Sequence, residues 1–152
     1  MRALLQRVSR AQVQIGDEVV GSIGPGLLVF VGVGLADDAA TAETLGRRVG
    51  ELRIFADDDG RTNLSLVDVG GAALVVSQFT LFADTRRGRR PGFTGAAPPS
   101  VAIPLYDRFC RAVEAAGVRV ARGRFGAEMA VELVNDGPFT IWLDTDEGKV
   151  GG

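Results

Sequence analysis

Polar side chains stand at the end of a strongly apolar stretch, in the run Ser77-Gln78-Phe79-Thr80 of the segment AALVVSQFTLFAD. Alternation along a strand over residues 74–82 predicts Ser77 and Phe79 on one face and the other two residues on the opposite face. Hydroxyls and free backbone N–H groups at the end of a strand can stabilise a developing oxyanion. Hydrogen bonding to neighbouring strands is the simpler explanation of the run taken alone, so both interpretations stay open at this point.

Four arginines follow within five residues, in a long stretch that is rich in Arg, Gly and Pro and has no periodicity. The chain as a whole has a net charge of −2, so its surface in general does not favour polyanions. Any contact with nucleic acid must therefore be local, and this cluster offers a place for it, with a solvated loop as the alternative. The four residues are Arg86, Arg87, Arg89 and Arg90.

A proline follows a turn signal near the end of the chain, in the stretch VNDGPFTIWLDT. Residues 129–135 and 139–143 both alternate as strands, and Asp136-Gly137 between them predicts a tight hairpin. Pro138 has no N–H to donate to a strand ladder, so it is out of place in a plain hairpin. Because only about 5–6% of X–Pro bonds are cis in folded proteins, the sequence alone favours a trans Gly137-Pro138 bond.

The residue types that are missing limit the chemistry. The sequence has no histidine, one lysine (Lys149) and one cysteine (Cys110). This composition excludes Ser-His-Asp and Cys-His nucleophile systems, His-based metal sites, zinc clusters and a Schiff-base lysine. Cys110 is predicted to be a buried packing residue, and the acidic run over 57–60 a solvated turn. An enzyme built from this chain would work with hydroxyls, carboxylates, amides and backbone groups.

An antiparallel meander is predicted for the first part of the chain. Residues 2–15 alternate as a strand whose phase slips near Ser9, which suggests a β-bulge. A two-residue hairpin loop at Gly16 leads into a second strand over 19–23, and a nearly unbroken apolar strand follows over 27–33.

Two helices are predicted from apolar stripes at helical spacing. Asp38 caps the first, and the second begins with Pro104 at its first position and ends before Gly117. The stripes consist of Ala42, Leu45, Val49 and Leu52 in the first helix, and of Leu105, Phe109, Val113 and Ala116 in the second.

The predicted fold is a single α+β domain over residues 1–145, with antiparallel, barrel-like β-sheets and two helices, followed by a flexible tail over 146–152. The sequence contains no apolar run of 18 or more residues, so we expect no membrane span. Its arginine-containing start lacks the features of a secretory signal, and its single cysteine is typical of a reducing compartment. We therefore predict a cytoplasmic protein.

The runs SQFTL (77–81) and NDGPFT (135–140) together resemble the motif pair of the D-aminoacyl-tRNA deacylases. Further matches are LLQRVSRAQVQIGDEVVGSIGPGLLVFVGV at the start, RRPGFTGAAPP in the arginine-rich loop, and RFGAEMAVELVNDGP later. The resemblance covers residues 1 to about 145, in order and with the family's spacing. The sequence departs from the pattern at Phe139, where a smaller β-branched residue is expected, and at Gly92, where serine is usual.

The resemblance implies a homodimeric hydrolase with no metal and no organic cofactor. Its substrate would be the ester that joins a D-amino acid, or glycine, to the 3′ end of tRNA. Hydrolysis would release free tRNA and the D-amino acid, as chiral proofreading in translation, and neither DNA nor a membrane is expected as a partner. Similar proteins place a Gly-cisPro peptide of one subunit in the active site of the other. Gly137 and Pro138 would thus exclude L side chains from the partner's site.

The same resemblance implies that Arg7 braces this motif and that Met129 lines the neighbouring pocket. Without the resemblance, Arg7 is better explained as a surface arginine of a strand, and Met129 as a residue that fills the core. The arginine cluster would contact tRNA phosphates. The residues implied to be catalytic are Ser77, Gln78, Phe79 and Thr80.

Two mechanisms are considered for cleaving the ester. Thr80 could be a nucleophile, but the sequence places no evident base beside it. Alternatively, the ribose 2′-OH assists water or proton transfer, while the N–H groups of Phe79 and Thr80 stabilise the oxyanion. The composition favours this second mechanism, because a chain without histidine has few side chains that can carry a proton.

Three rival functions are considered: a non-catalytic RNA-binding module, a metal-dependent hydrolase and a dimeric scaffold.

Overall fold

Alternating apolar residues form strands and two amphipathic stretches form helices in the computed structural model of the chain, which describes residues 1–147. The predicted tail therefore lies outside the described residues from 148 onward. The strands are β1 (Arg2–Ile15), β2 (Glu18–Ile23), β3 (Gly26–Gly32), β4 (Arg53–Ala56), β5 (Thr62–Ser65), β6 (Ala72–Ser77), β7 (Arg119–Arg122) and β8 (Ala130–Asp144); the helices are α1 (Ala39–Glu51) and α2 (Pro99–Ala115); short 3₁₀ turns are Phe79–Phe82 and Thr145–Glu147.

The strand β1 organises the main sheet because it pairs along both edges. One edge pairs with β8, and the other pairs with β3 over its first half and with β2 over its second half. The predicted bulge near Ser9 is confirmed, since the register with β8 shifts between Val8 and Arg10. The predicted hairpin at Gly16 is confirmed as well, with a φ of 56° that favours glycine.

The sheet is mixed, so the prediction of purely antiparallel sheets is wrong. β3 pairs with β6 in parallel, and β6 pairs with β7 in parallel, which gives the order β2-β1-β3-β6-β7 with β8 beside β1. A parallel pair requires a long crossover; α1 with the β4–β5 hairpin supplies the first, and α2 supplies the second. Local turn signals identify hairpins but carry no information about such crossovers.

The main sheet curls back toward itself, which confirms the barrel-like shape. A Cβ at Gly21 of β2 would lie 2.5 Å from the carbonyl oxygen of Arg122 in β7, so this close approach requires glycine. Apolar side chains fill the inside of the curl. This cluster consists of Val8, Ala11, Val13, Ile23, Leu28, Ala72, Leu74 and Val76.

Both predicted helices are present and pack against the sheet. Asp38 caps α1 as predicted, because its Oδ1 accepts a hydrogen bond from the Thr41 N–H at 2.8 Å. A Cβ at Gly46 would lie 2.7 Å from the Cβ of Ala112, so α1 and α2 approach each other closely. The core that they form with the sheet includes Leu5, Val29, Val31, Leu45, Val49, Ala73, Val75, Phe109 and Val113.

The second helix begins at Pro99, so its predicted start at Pro104 is wrong. The carbonyl of Pro98 accepts from the Ala102 N–H at 2.9 Å, and Pro99 occupies the first turn, where a missing N–H does not matter. Pro104 lies inside the helix and withholds one N–H from its ladder. The predicted end is confirmed by Gly117, whose φ of 97° stops the helix.

Cys110 lies on α2 and is fully buried, which confirms its prediction as a packing residue. Burial raises the pKa of its thiol to about 11, so little thiolate exists at neutral pH. The thiol therefore has neither the access nor the ionisation that a nucleophile needs.

The first motif does not continue as a strand. β6 ends at Ser77, and Phe79–Phe82 forms a 3₁₀ turn instead of the predicted continuation to residue 82. The last ladder bond runs from the Gln78 N–H to the carbonyl of Val31 at 2.8 Å, and both neighbouring strands end close to this level. The predicted alternation of side chains beyond Ser77 is therefore wrong.

The second motif does not form the predicted hairpin. β8 is one strand, and the residues before and after the motif both pair antiparallel with β1. Arg7 alone stands opposite residues 136–139, which therefore bulge from the strand. The Gly137-Pro138 peptide is cis, whereas the sequence alone favoured trans.

Candidate active site

A cavity of about 610 Å³ lies at the end of β6, beside the start of α2. Most of its wall is apolar, and hydrogen-bonding side chains lie where β6 passes into the 79–82 turn. The lining residues are Val33, Val76, Ser77, Gln78, Phe79, Phe93, Ala96, Ala97, Pro99, Ala102, Phe125, Gly126, Ala127, Met129 and Val131.

None of these lining side chains is an acid or a base, in the part of the chain that the structure describes. The cavity therefore offers hydrogen bonds and apolar contacts but no side chain that exchanges a proton near neutral pH. Residues 1–147 also contain no group of three or more His, Cys, Asp or Glu side chains placed to hold a metal ion.

The 79–82 turn begins at the cavity, which Phe79 lines. Its first internal hydrogen bond runs from the Leu81 N–H to the carbonyl of Gln78 at 3.3 Å, so the N–H groups of Phe79 and Thr80 precede it. Such leading N–H groups have no partner within the turn. The side chain of Gln78 donates to the hydroxyl of Thr80, which is exposed and does not line the cavity. An amide cannot take the hydroxyl proton of Thr80.

Aromatic rings border the cavity. Phe79 is 56% exposed, and its ring meets that of Phe93 edge to face, with 5.1 Å between the ring centres. Phe93 and Phe125 line the cavity, although neither was singled out from the sequence. Both lie in stretches that carry the family resemblance, and that pattern is the signal that could have found them.

Met129 lines the cavity, as the resemblance implied. Its sulfur accepts from the Arg124 N–H at 3.4 Å. A Cβ at Gly123 would lie 2.8 Å from the same sulfur, so the chain packs closely around this side chain. Its role in binding stays a prediction.

The guanidinium of Arg7 binds the bulge of β8, and the Arg7 side chain as a whole is only 12% exposed. Its Nε lies 3.0 Å from the Asp136 carboxylate and donates to the Asp136 carbonyl at 3.1 Å. Nη1 donates to the carbonyl of Ile54 at 2.7 Å, and Nη2 makes a longer bond of 3.4 Å to that of Gly137. Cζ lies 4.3 Å from the centre of the Phe139 ring, so the unusual phenylalanine packs under the guanidinium.

The structure brings only some of the predicted catalytic and substrate-binding residues to the cavity. Gly137 and Pro138 are exposed on the bulge and do not line the cavity of their own chain. The residues that the structure brings together at the cavity are Ser77, Gln78, Phe79 and Met129.

The arginine cluster lies on an exposed loop whose base is closed by backbone hydrogen bonds of 2.7 and 2.9 Å between Asp84 and Gly92. Arg86 donates to the carboxylate of Asp84 through Nε at 2.9 Å and Nη2 at 2.7 Å. These bonds hold the pKa of the Asp84 carboxyl well below its usual range. No atom would contact a Cβ at Gly92, so glycine in place of serine removes no close packing here. The loop leads directly to Phe93 at the cavity.

The chain is similar along almost its whole length to curated proteins named D-aminoacyl-tRNA deacylase. One from Roseiflexus sp. (strain RS-1) is 61% identical over 145 residues, which are 95% of this chain and 94% of that protein. One from Thermomicrobium roseum is 59% identical over 151 residues, which are 99% of this chain and 98% of that protein. A family model described as D-Tyr-tRNA(Tyr) deacylase matches residues 4–144.

Solved structures share the fold. A c-Myc DNA Unwinding Element Binding Protein is 37% identical, with a TM-score of 0.88 over 95% of this chain and 98% of that chain. A probable eukaryotic D-amino acid tRNA deacylase, 22% identical, shows likeness of fold alone, with a TM-score of 0.79 over 93% of this chain and 97% of that chain. The family model and the relatives named as deacylases identify the chain as a hydrolase. The chain belongs to the D-Tyr-tRNA(Tyr) deacylase family.

Replacing Arg7 tests whether its contacts hold the bulge in place. Arg7→Ala is expected to lower the free energy of unfolding by about 2 kcal/mol, because it removes a charged donor that makes three hydrogen bonds from a largely buried side chain. Arg10→Ala is the matched control on the same strand, since Arg10 and its partner Glu132 are both 58% exposed. Arg10→Ala should lower the free energy of unfolding by less than about 1 kcal/mol. Denaturant unfolding measures both values, and equal losses would contradict the bracing role.

Proposed function

We propose that this chain hydrolyses the ester bond between a D-amino acid and the 3′ end of tRNA, releasing free tRNA and the D-amino acid. The cavity carries the proposal, because its volume of about 610 Å³ suits an aminoacylated nucleoside. Its uncharged wall matches a reaction that uses backbone and substrate groups. Relatives that bear the deacylase name, at 54–61% identity, support the same reaction. Glycine is also accepted, since it has no side chain to exclude.

The chemistry is assigned to backbone N–H groups and to the substrate itself. A water oxygen attacks the ester carbonyl, and the N–H groups of Phe79 and Thr80 stabilise the negative charge that develops on the carbonyl oxygen. The ribose 2′-OH relays the proton of the water to the 3′ oxygen as the bond from the carbonyl carbon to that oxygen breaks. Ser77 and Gln78 orient the ester, and the hydrogen bond from Gln78 fixes the side chain of Thr80.

Selection between D and L substrates is assigned to Gly137 and Pro138 of a second copy of the chain. These residues are exposed and lie outside their own cavity, so they complete a site only in a two-fold dimer. Their carbonyl oxygens accept from the substrate's α-ammonium group and occupy the space that an L side chain needs. Arg7 holds this bulge, and Met129 lines the cavity that receives it.

Glycine at position 137 is explained by the ligand rather than by the chain's own packing. A Cβ there would lie 3.6 Å from the Oδ1 of Asn135, an ordinary contact that the protomer accepts without rearrangement. In the composite site, the same Cβ would enter the space of the substrate's amino-acid moiety. The residue is therefore required for catalysis in the dimer and dispensable for folding.

The arginine cluster supplies the contacts to tRNA phosphates. Arg86, Arg87, Arg89 and Arg90 are all exposed on the loop that leads to the cavity.

Three further expectations stay predictions: a single domain over 1–145, a cytoplasmic location, and the lack of a DNA or membrane partner. No helix within residues 1–147 is long and apolar enough to cross a bilayer.

The proposal is tested by incubating the protein with matched D- and L-aminoacyl-tRNA, with and without a chelator, and following ester loss. We expect rapid loss of the D-ester, retention of the L-ester, and no effect of the chelator. An RNA-binding module would retain both esters, and a metal-dependent hydrolase would stop when the metal is removed. Equal hydrolysis of the D- and L-esters would refute the chiral selection.

The mechanism is tested by two changes that separate Thr80 from the 2′-OH. Thr80→Ala is expected to keep substantial turnover, whereas loss of a nucleophile costs roughly 10³-fold or more in other hydrolases. A D-aminoacyl ester on a 2′-deoxy terminal nucleoside should turn over about 10²-fold more slowly or worse, because the proton relay is missing. Single-turnover rates measure both effects. An acyl group trapped on Thr80 would contradict this assignment.

A further inference from the structure

A second cavity, of about 470 Å³, adjoins the active-site cavity. Phe79 at the start of the 79–82 turn lines the first cavity, and Phe82 at its end lines the second. In the same way, Phe93 lines the first, and the next residue, Thr94, lines the second. Because consecutive Cα atoms are about 3.8 Å apart, the two cavities lie close together. A ligand that fills the first cavity brings its continuation to the second.

The second cavity differs from the first in its charge. Its lining includes two arginines, two threonines and one aspartate, beside Phe82, Ala83 and Gly95; the polar residues are Arg2, Asp84, Thr85, Arg86 and Thr94. The loop between the 79–82 turn and α2 carries four arginines and one aspartate, a net charge of +3 (4 − 1), on a chain of net charge −2. Guanidinium and hydroxyl donors around a small cavity are typical of a phosphate site.

Arg2 is held in a fixed position at this cavity. Its Nε donates to the Oδ2 of Asp144, and its Nη1 donates to the carbonyl of Leu81, both at 2.9 Å. Its Cζ lies 4.4 Å from the centre of the Phe82 ring. These contacts use two of the five N–H groups of the guanidinium, so Nη2 and the second N–H of Nη1 are left to donate to a ligand. The side chain is already ordered before a ligand binds, which lowers the entropy cost of binding.

We propose that the second cavity binds the phosphodiester that precedes the terminal nucleoside of tRNA, while the aminoacylated nucleoside occupies the first cavity. This inference rests on the proposed function. Arg86 and Thr94 donate to the phosphate oxygens, and Arg2 supplies a fixed cation behind them. Asp84 offsets part of the charge of Arg86, so the cavity suits one phosphate rather than any polyanion. The site thereby favours polynucleotide esters over simple D-amino acid esters.

The test compares two D-aminoacyl esters that differ by one phosphodiester: D-aminoacyl-adenosine and D-aminoacyl-cytidylyl-adenosine. The quantity measured is the ratio of KM for the dinucleotide ester to KM for the nucleoside ester. Arg86→Gln and Thr94→Val should each raise this ratio, by roughly twofold to fivefold for the loss of one exposed contact to the charged phosphate. Asp84→Asn should lower it, because repulsion of the phosphate is removed while the hydrogen bonds to the backbone are kept.

Arg108→Gln is the matched control. Arg108 pairs with Glu43 on the surface of the two helices, and the two side chains are 52% and 51% exposed. Its replacement should leave the ratio unchanged. An Arg86→Gln effect that is equal for both esters, or that appears only with full-length tRNA, would overturn the proposal. An equal effect on both esters would mean that Arg86 positions the ester itself. An effect seen only with full-length tRNA would mean that Arg86 contacts a phosphate farther along the RNA.

Equilibrium binding separates failure of this site from failure of the proposed function. If the unmodified protein hydrolyses no D-ester, the proposed function fails, and the cavity is then judged by binding of cytidylyl-adenosine and adenosine. Tighter binding of the dinucleotide, weakened in Arg86→Gln and strengthened in Asp84→Asn, still supports a phosphodiester site. Equal affinity for the two compounds overturns it.

Discussion

The arrangement of the molecule depends on the guanidinium of Arg7, which lies where the central strand changes its pairing. β1 pairs with β3 up to Val8, and its register with β8 is interrupted opposite Arg7 itself. Residues 136–139 have no partner on β1 there, and the guanidinium of Arg7 binds carbonyl groups of this segment instead. It also binds the carbonyl of Ile54, which joins the bulge to the β4–β5 hairpin. An irregular backbone segment is thus presented at the surface in one shape.

The parts of the fold that could be predicted from the sequence are those set by residues close together in the chain. The bulge near Ser9, the hairpin at Gly16 and the cap at Asp38 depend on a few neighbouring residues, and the structure has all three. The parallel pairing of β3 with β6 depends on crossovers, for which the sequence carries no local signal. The sequence also remains apolar beyond Ser77, yet β6 ends there because the strands beside it end at nearly the same level.

The site could be predicted only in part, for a related reason. The resemblance brought Gln78 and Met129 to one cavity across distant parts of the chain, whereas Phe93 and Phe125 lie in segments without periodicity and were missed. The difference in charge between the two neighbouring cavities could not be predicted either. An uncharged cavity, suited to an ester and its oxyanion, lies close to a charged one, suited to a phosphate. Neighbouring residues such as Phe93 and Thr94 face different cavities, and only the fold shows which residue lines which cavity.

The central claim is that each working site combines the cavity of one subunit with the bulge of the other, and subunit mixing tests it most directly. Gly137→Ala damages only the bulge, and Ala127→Trp fills only the cavity, where Ala127 is half-buried. Each variant alone should be inactive toward D-aminoacyl-tRNA. After exchange of subunits at equal concentration, mixed dimers contain one intact site, and about a quarter of the unmodified activity should return. No recovery, with mixed dimers demonstrated by mass spectrometry, would contradict a site shared between subunits.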